Sequence, residues 1–244
     1  MAGAQARSSF PAVGGSFMES PTAGSREPDL LAEVFHALNQ PMAGLRCTLE
    51  AALAKNRSPE QYRQYMETAL KKAGEIERWT RGVSEFVLAD AAVPLNEEQK
   101  RQSLSLKQYL RECVDDLALV ADSSRVRCEV NIAEDHPIWF SPRILKPALF
   151  RIHEFALAEV KDGGIIAIRD VRLAVAITLE YVLQRSGAIG KNVQDERQQR
   201  RQQIWMELSF ATAQRLLETA GGRLTKEILP EETKIRLHLP LAQS

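Results

Sequence analysis

Large apolar residues recur at alternating intervals of four and three in the first quarter of the chain. They are Leu31, Phe35, Leu38, Met42, Leu45 and Leu49. This heptad spacing predicts an amphipathic helix, from about Asp29 to Lys55, whose apolar stripe packs against other helices. His36 lies one position past the stripe, where a helix in a bundle meets water. The pattern therefore predicts a solvent-facing imidazole on a rigid helix.

A second helix is predicted after a stop signal at residues 56–61. Ser58 can cap it, Pro59 suits its first position, and Gln61 completes a capping box. It should extend to about Asp90, with a stripe of Tyr62, Met66, Ala69, Ala73, Ile76, Val83 and Val87, widened by Trp79 and Phe86. Two such helices cannot bury both stripes alone, so a homodimer forming a four-helix bundle is expected. The alternative is that the stripes pack only on the rest of the chain.

The remainder of the chain mixes helical and strand patterns. Helices are predicted at about 106–121, from 142 through 155, and at 208–220, and strands at 126–132, 165–169, 173–182, 224–228 and 234–239. This order predicts an α/β sandwich with helices on one face of a mixed sheet. We divide the chain into a disordered arm (1–27), a helical hairpin (28–93), a linker (94–102) and the α/β domain (103–244).

Composition narrows the function classes. The 244 residues carry 32 basic and 32 acidic side chains, so no net field favours nucleic acid or an anionic membrane. No stretch approaches the roughly 20 apolar residues of a membrane span, and the N-terminus lacks a secretory pattern, so we expect a cytoplasmic protein. The basic run Arg197, Arg200 and Arg201 is interpreted as a mobile solvated loop, with a local basic binding face as the alternative.

Cysteine and histidine spacing does not predict a metal site. Cys47, Cys113 and Cys128 are odd in number and lack metal-type spacing, so buried reduced thiols are expected. The remaining histidines, His136, His153 and His238, are scattered, with no carboxylate or cysteine at ligand spacing. We therefore expect the chemistry of this chain to reside at His36.

The segment from His36 to Pro41, which reads His-Ala-Leu-Asn-Gln-Pro, resembles the phosphoacceptor box of two-component sensor histidine kinases. The order of a helical hairpin followed by an α/β domain is similar too, over roughly residues 28–242. The resemblance implies that His36 is the phosphoacceptor and that the partner is the receiver domain of a response regulator, which would bring its own Mg²⁺. Asn39 and Gln40 share the helix face of His36 and would orient the phosphoryl group or a water.

The box departs from this family at Ala37. Active kinases usually carry Glu or Asp there, and losing such a base costs about two to four orders of magnitude in rate. Glu33, one turn earlier, is the residue that could compensate. Pro41 lacks the N–H that would bond the carbonyl of Ala37, so the helix should bend or loosen after His36. His36 is therefore either a phosphoacceptor or a relic of a kinase ancestor.

The resemblance to the ATP-binding domain of these kinases fails at the nucleotide site. Phe155 stands where the family has a magnesium-ligating asparagine, and an aromatic ring cannot ligate a hard cation. Glu180 begins the segment where Asp-x-Gly-x-Gly is expected. The lid, residues 191–203, has no glycine, and Trp205-Met206-Glu207-Leu208 replaces a Gly-x-Gly motif. We expect no bound cofactor, and Glu154, Phe155 and Glu180 to be vestigial positions.

Three functions fit these patterns. The first is a dimeric histidine phosphotransferase that relays a phosphoryl group through His36, to or from a receiver domain, without ATP. The second is a non-catalytic scaffold that binds a receiver domain or a histidine kinase, which the alanine at position 37 favours. The third is an active kinase with divergent motifs.

Overall fold

The computed structural model describes residues 27–91, 101–160, 163–172, 176–185 and 196–241. Except for Glu27, the predicted arm lies outside these ranges, and so does most of the predicted linker. In chain order the elements are α1 (Glu27–Leu53), α2 (Pro59–Ala91), β1 (Gln102–Ser105), α3 (Leu106–Asp116), α4 (Ala118–Ser123), β2 (Arg127–Asn131), β3 (Pro137–Phe140), α5 (Pro142–Val160), β4 (Ile165–Arg172), β5 (Ala176–Gln184), α6 (Glu196–Thr219), β6 (Arg223–Ile228) and β7 (Glu232–Pro240).

The helical hairpin is confirmed, together with the capping box between its helices. The backbone N–H of Gln61 donates to Ser58 Oγ at 3.3 Å, and the backbone N–H of Ser58 donates to Gln61 Oε1 at 3.2 Å. These reciprocal bonds satisfy two backbone donors at the start of α2. Helix α1 is continuous through Pro41.

The α/β domain is a two-layer sandwich, as predicted. Its main sheet has the order β2-β4-β5-β7-β6, in which β2 and β4 are parallel and the other neighbours are antiparallel. Helices α3, α5 and α6 cover one face and share a single apolar core with the sheet. A separate two-stranded sheet, β1 with β3, was not predicted. It was missed because four-residue strands carry too little alternation to be recognised. Gln102, which was assigned to the linker, is the first residue of β1.

The helix predicted over 106–121 is present but divided in two, because the chain leaves the helical conformation at Leu117. This residue has φ −106° and ψ 4°, and it separates α3 from α4. Its side chain is buried in the domain core. The turn therefore redirects the chain toward β2 while the apolar pattern continues, which explains why periodicity alone did not reveal the break.

Helix α6 corrects two further predictions. It begins at Glu196 rather than Leu208, so the described part of the expected lid is helical, and the motif at 205–208 lies inside the helix rather than before it. The reason is that α6 serves two cores: Ile204 and Leu208 pack on the hairpin, whereas Phe210, Ala213 and Leu217 pack on the sheet domain. None of the helices in the described ranges is long and apolar enough to cross a membrane.

Candidate functional site on helix α1

The side chain of His36 is exposed to solvent on α1, as the heptad pattern predicts. Asn39 and Gln40, three and four residues later, are exposed as well. Residues at these spacings are neighbours on a helix surface, so one open face carries an imidazole and two amides. The three side chains expected to act together therefore lie on the same face.

Ala37 points away from this open face, into an apolar cluster between the hairpin and α6. Its exposed fraction is 1%. The cluster consists of Val34, Ala37, Trp79, Phe86, Ile204 and Leu208. A carboxylate at position 37 would lose its hydration there without gaining a charged partner within the cluster. The departure from the kinase pattern therefore has a structural cause, since α6 covers this side of α1.

Trp205 of α6 packs closely against the hairpin. Its ring meets that of Trp79 edge-to-face, with centroids 5.3 Å apart and an interplanar angle of 84°. A Cβ at Gly82 would lie 2.8 Å from a ring carbon of Trp205, so only glycine permits this approach. The guanidinium carbons of Arg78 and Arg151 lie 5.1 and 5.6 Å from the Trp205 ring centroid. Aromatic packing and the Arg78 cation thus hold α6 on α2, while Arg151 of α5 contacts the same ring.

Two arginines of the basic run form ion pairs with the hairpin, so the prediction of a mobile loop is wrong. Arg200 Nη2 lies 2.9 Å from Glu33 Oε1 on α1, and Arg201 Nη2 lies 3.0 Å from Glu75 Oε2 on α2. Burial by itself would raise the pKa of Glu75, but hydrogen bonds and charge from Arg201 and Lys72 outweigh it and lower the pKa. Glu33, the residue that could compensate for Ala37, has its carboxylate bound to Arg200.

Two positions that match the nucleotide site have structural contacts instead: Phe155 packs in the core and Glu154 forms an ion pair. The Phe155 ring is buried against Phe210, with centroids 5.3 Å apart. Glu154 pairs with Arg151, which also donates to Glu85 from its Nε at 3.0 Å. Burial raises the pKa of Glu154, and the Arg151 charge offsets only part of that rise. Glu154 is therefore a structural partner of Arg151 rather than an unpaired surface carboxylate.

Glu180 lies on the sheet face opposite the helices. Its neighbours Leu179 and Tyr181 point into the core, and alternate residues of a strand face opposite ways. Burial alone would raise the pKa of Glu180, but hydrogen bonds from Arg169 and Arg236 outweigh it and lower the pKa. The Nε atoms of these arginines lie 2.7 and 3.1 Å from the carboxylate. Glu180 thus joins three strands.

These three positions do not fit a magnesium–nucleotide complex. Mg²⁺ requires oxygen ligands that converge on one point. Phe155 contributes no oxygen, Glu154 is held by Arg151, and Glu180 faces away from the helices. Within the described ranges, no group of three or more His, Cys, Asp and Glu side chains is placed to hold a metal ion.

The other histidines have local partners that their spacing did not reveal. His136 Nε2 lies 3.2 Å from Asp170 Oδ2, and His238 Nδ1 lies 2.8 Å from Thr178 Oγ1. His153 is buried, with Nδ1 2.8 Å from the carbonyl of Leu149, and burial lowers its pKa. Each contact joins elements or turns of the domain, which indicates a structural role.

The cysteines only partly match the prediction of buried thiols. Cys113 is buried, and its pKa is raised to about 11 by desolvation. Cys128 is half-buried, whereas Cys47 is exposed on α1, so the prediction is wrong for Cys47. Cys47 is exposed because it lies outside the apolar stripe of its helix. The prediction was wrong because it considered only the number and spacing of the cysteines.

Arg200 and Trp205 are the residues beside the site that sequence reasoning missed. A signal for them was present, because residues 196–208 contain neither Gly nor Pro and are rich in Arg, Gln and Glu, which favour helices. Comparison with a kinase lid masked that signal by suggesting a loop.

Solved structures with the same fold are histidine kinases. Acinetobacter baumannii histidine kinase AdeS aligns with a TM-score of 0.62 and 10% identity, covering 85% of this chain and 98% of that one. Histidine kinase ThkA, solved in complex with response regulator protein TrrA, aligns with a TM-score of 0.64 and 15% identity, covering 89% of this chain and 63% of that one. ShkA, solved full-length with AMPPNP, aligns with a TM-score of 0.57 and 14% identity, covering 89% and 46%.

At the level of sequence, no family model matches the chain, and no curated protein matches it significantly. The three structural alignments each span both the hairpin and the α/β domain, since each covers 85% or more of this chain. The chain therefore has the fold of a histidine kinase, with a helical hairpin followed by an ATPase-like α/β domain.

Proposed function

We propose that this protein is a histidine phosphotransferase of a two-component pathway. His36 would accept a phosphoryl group from the aspartyl phosphate of a receiver domain and pass it to another receiver, in the cytoplasm and without ATP. The observation that carries the proposal is the open face of His36, Asn39 and Gln40, combined with a nucleotide region whose matching positions are filled by packing. Such a relay needs the histidine and its surroundings but no triphosphate site.

The chemistry requires little beyond an accessible imidazole. A neutral ring nitrogen of His36 attacks phosphorus, the P–O bond to the aspartate breaks, the carboxylate leaves, and the imidazole loses a proton to solvent. Mg²⁺ bound by the receiver would stabilise the transferred charge. Asn39 and Gln40 would orient the phosphoryl oxygens or a water.

The receiver partner is supported by one structural neighbour. ThkA, which shares the hairpin and the α/β domain, was solved in complex with a response regulator. The hairpin of this chain has an exposed face around His36 on which a small domain can dock. A histidine kinase is a second expected partner, as the source of phosphoryl groups for the pathway.

Incubation with phosphorylated receiver domains tests the proposal. We expect acid-labile label on the wild-type chain and none on His36→Ala, because the variant lacks the only accepting nitrogen at this face. Circular dichroism should show the same helicity in both proteins, since His36 is exposed. Equal label on both proteins, or none on the wild type with any receiver of the host, would contradict the proposal.

We further propose that two copies pair through the hairpin. Several large apolar side chains remain exposed on the single chain: Phe35, Met42, Leu49 and Leu53 on α1, and Tyr62, Met66 and Leu70 on α2. Packing on α6 buries only the side of Val34, Ala37, Trp79 and Phe86. One side of the hairpin therefore packs on the rest of the chain, and the other side is left for a second copy. A second copy is the partner that a heptad stripe favours.

Sedimentation equilibrium tests this pairing. The wild type should have twice the chain mass of 27.3 kDa. Met66→Glu should shift the population toward monomer, because each interface would bury two unpaired carboxylates. Gln64→Glu, at an exposed polar position of the same helix, is the matched control and should remain dimeric. A monomeric wild type, or a Met66→Glu variant that pairs as tightly, would argue against the dimer.

A non-catalytic scaffold is the second candidate, favoured by the buried alanine at position 37. For a scaffold, His36→Gln would leave receiver binding and signalling output unchanged. Calorimetric titration with Mg²⁺ and ATP tests the third candidate, a divergent kinase. Measurable ATP binding would support that function. The absence of label together with unchanged output in His36→Gln would replace the phosphotransferase with the scaffold.

A further inference from the structure

Two arginines of α6, Arg200 and Arg201, bind the hairpin near the level of His36. On the hairpin, Lys72 carbons lie 3.7 Å from where a Cβ of Gly44 would be, and Trp79 shares a cluster with Val34 and Ala37. These two contacts set the antiparallel register of α1 and α2, and they place Glu75 level with Gln40. Arg201 of α6 pairs with Glu75, so its guanidinium lies at this same level of the hairpin.

Arg200, the preceding residue of α6, binds α1 rather than α2. Its guanidinium contacts the Glu33 carboxylate at 2.9 Å, and Glu33 precedes His36 by three residues. Residues three apart on a helix have Cβ atoms about 5–6 Å from each other. The Arg200 guanidinium is therefore bound about one helical turn from His36, on a neighbouring flank of α1.

The Arg200–Glu33 ion pair is weak enough for Arg200 to leave Glu33 and bind another anion. Its side chains are 70% and 47% exposed, and ion pairs in this setting stabilise a protein by only about 0–1 kcal/mol. A phosphoryl group carries more negative charge than one carboxylate and accepts two parallel hydrogen bonds from a guanidinium. A phosphoryl group on His36 would also be repelled by Glu33 unless a cation lay between them.

We infer that Arg200 is a phosphoryl-binding residue for His36: it releases Glu33 and donates to the oxygens of the phosphorylated imidazole. Arg200 has this role only if His36 carries a phosphoryl group, as proposed above. Helix α6 thus supplies a cation to the site from the position where the resemblance predicted a nucleotide lid. The same helix buries Ala37, so its docking removes the usual carboxylate position and contributes a guanidinium on the neighbouring flank.

Chemical phosphorylation of the full chain with potassium phosphoramidate tests this role without any receiver. The P–N bond of the reagent breaks, a P–N bond to His36 forms, ammonia leaves and the ring proton is released. Phosphohistidine is followed by ³¹P NMR. The signal of the His36→Ala variant is subtracted, because it reports phosphorylation of the other histidines. We expect Arg200→Gln to slow formation and shorten the half-life of phosphohistidine by about five- to tenfold, the scale of one hydrogen bond at a solvent-exposed site. Arg200→Lys should recover part of the loss.

The matched control is Arg46→Gln. Arg46 is also an exposed arginine of an exposed ion pair, with Glu50 at 2.7 Å on the same helix α1, but it lies almost three turns beyond His36. Its rate and half-life should equal those of the wild type. Equal values for Arg200→Gln and the wild type, or a wild-type His36 that phosphoramidate does not modify, would overturn the inference.

A double variant separates direct binding from the release of Glu33. If Arg200 only neutralises Glu33, then Glu33→Gln combined with Arg200→Gln restores the wild-type rate, and that result also overturns the inference. If Arg200 binds the phosphoryl group, the double variant remains slow, and Glu33→Gln alone is at least as fast as the wild type. Failure of receiver transfer to a chain that phosphoramidate modifies normally would count against the proposed function and not against Arg200.

Discussion

Replacing Ala37 with glutamate should destabilise the protein by roughly 3–5 kcal/mol, the usual cost of an uncompensated buried charge. Ala37 is 1% exposed and lies among Trp79, Ile204 and other apolar side chains. The variant would have to keep the carboxyl neutral or separate α6 from the hairpin, and both cost free energy. Urea unfolding followed by circular dichroism measures the effect as a lower midpoint.

Ala43→Glu provides the matched control for this experiment. Ala43 lies on the same helix but is exposed, so the same chemical change should alter the unfolding free energy by less than about 0.5 kcal/mol. Similar midpoints for Ala37→Glu and the wild type would mean that α6 does not cover this side of α1 in solution. The expected result would also explain why this chain cannot carry the kinase-type carboxylate beside His36.

Replacing Phe155 with asparagine should cost about 4 kcal/mol or more and should not create nucleotide binding. Truncating a buried phenylalanine typically costs 3–5 kcal/mol. Phe155 is 3% exposed and packs against Phe210, with Lys226 Nζ 5.2 Å from the Phe155 ring centroid. The asparagine amide would be buried without partners supplied by these rings, which adds to the cost. Chemical denaturation and calorimetric titration with Mg²⁺ and ATP measure the two expectations.

Phe155→Leu separates the loss of volume from the burial of an amide. It keeps an apolar side chain at the position, so it should retain most of the stability that the asparagine variant loses. A Phe155→Asn variant with the wild-type midpoint and measurable ATP binding would contradict the packing described here. Such a result would mean that a single residue separates this domain from a nucleotide-binding one.

Local pattern was sufficient for much of the fold. The capping box at Ser58 and Gln61 predicted the start of α2, because capping depends on residues adjacent in the chain. The alternation of apolar and polar residues over 126–132 predicted β2, because it too is a pattern of adjacent residues. The start of α6 was missed because its first half has little apolar content of its own. Its stability depends on Trp205 and Ile204 contacting helices that precede it by more than a hundred residues.

The candidate site shows the same division. The sequence predicted that His36 faces solvent and that Asn39 and Gln40 share its face, since helix periodicity decides which side chains share a surface. The sequence also determined that Phe155 cannot ligate a metal ion. Only the tertiary structure decided that Ala37 is covered by α6 and that Arg200 binds Glu33, one helical turn from His36. Those facts depend on where α6 docks, and contacts between segments far apart in the chain leave no periodic signal in either segment.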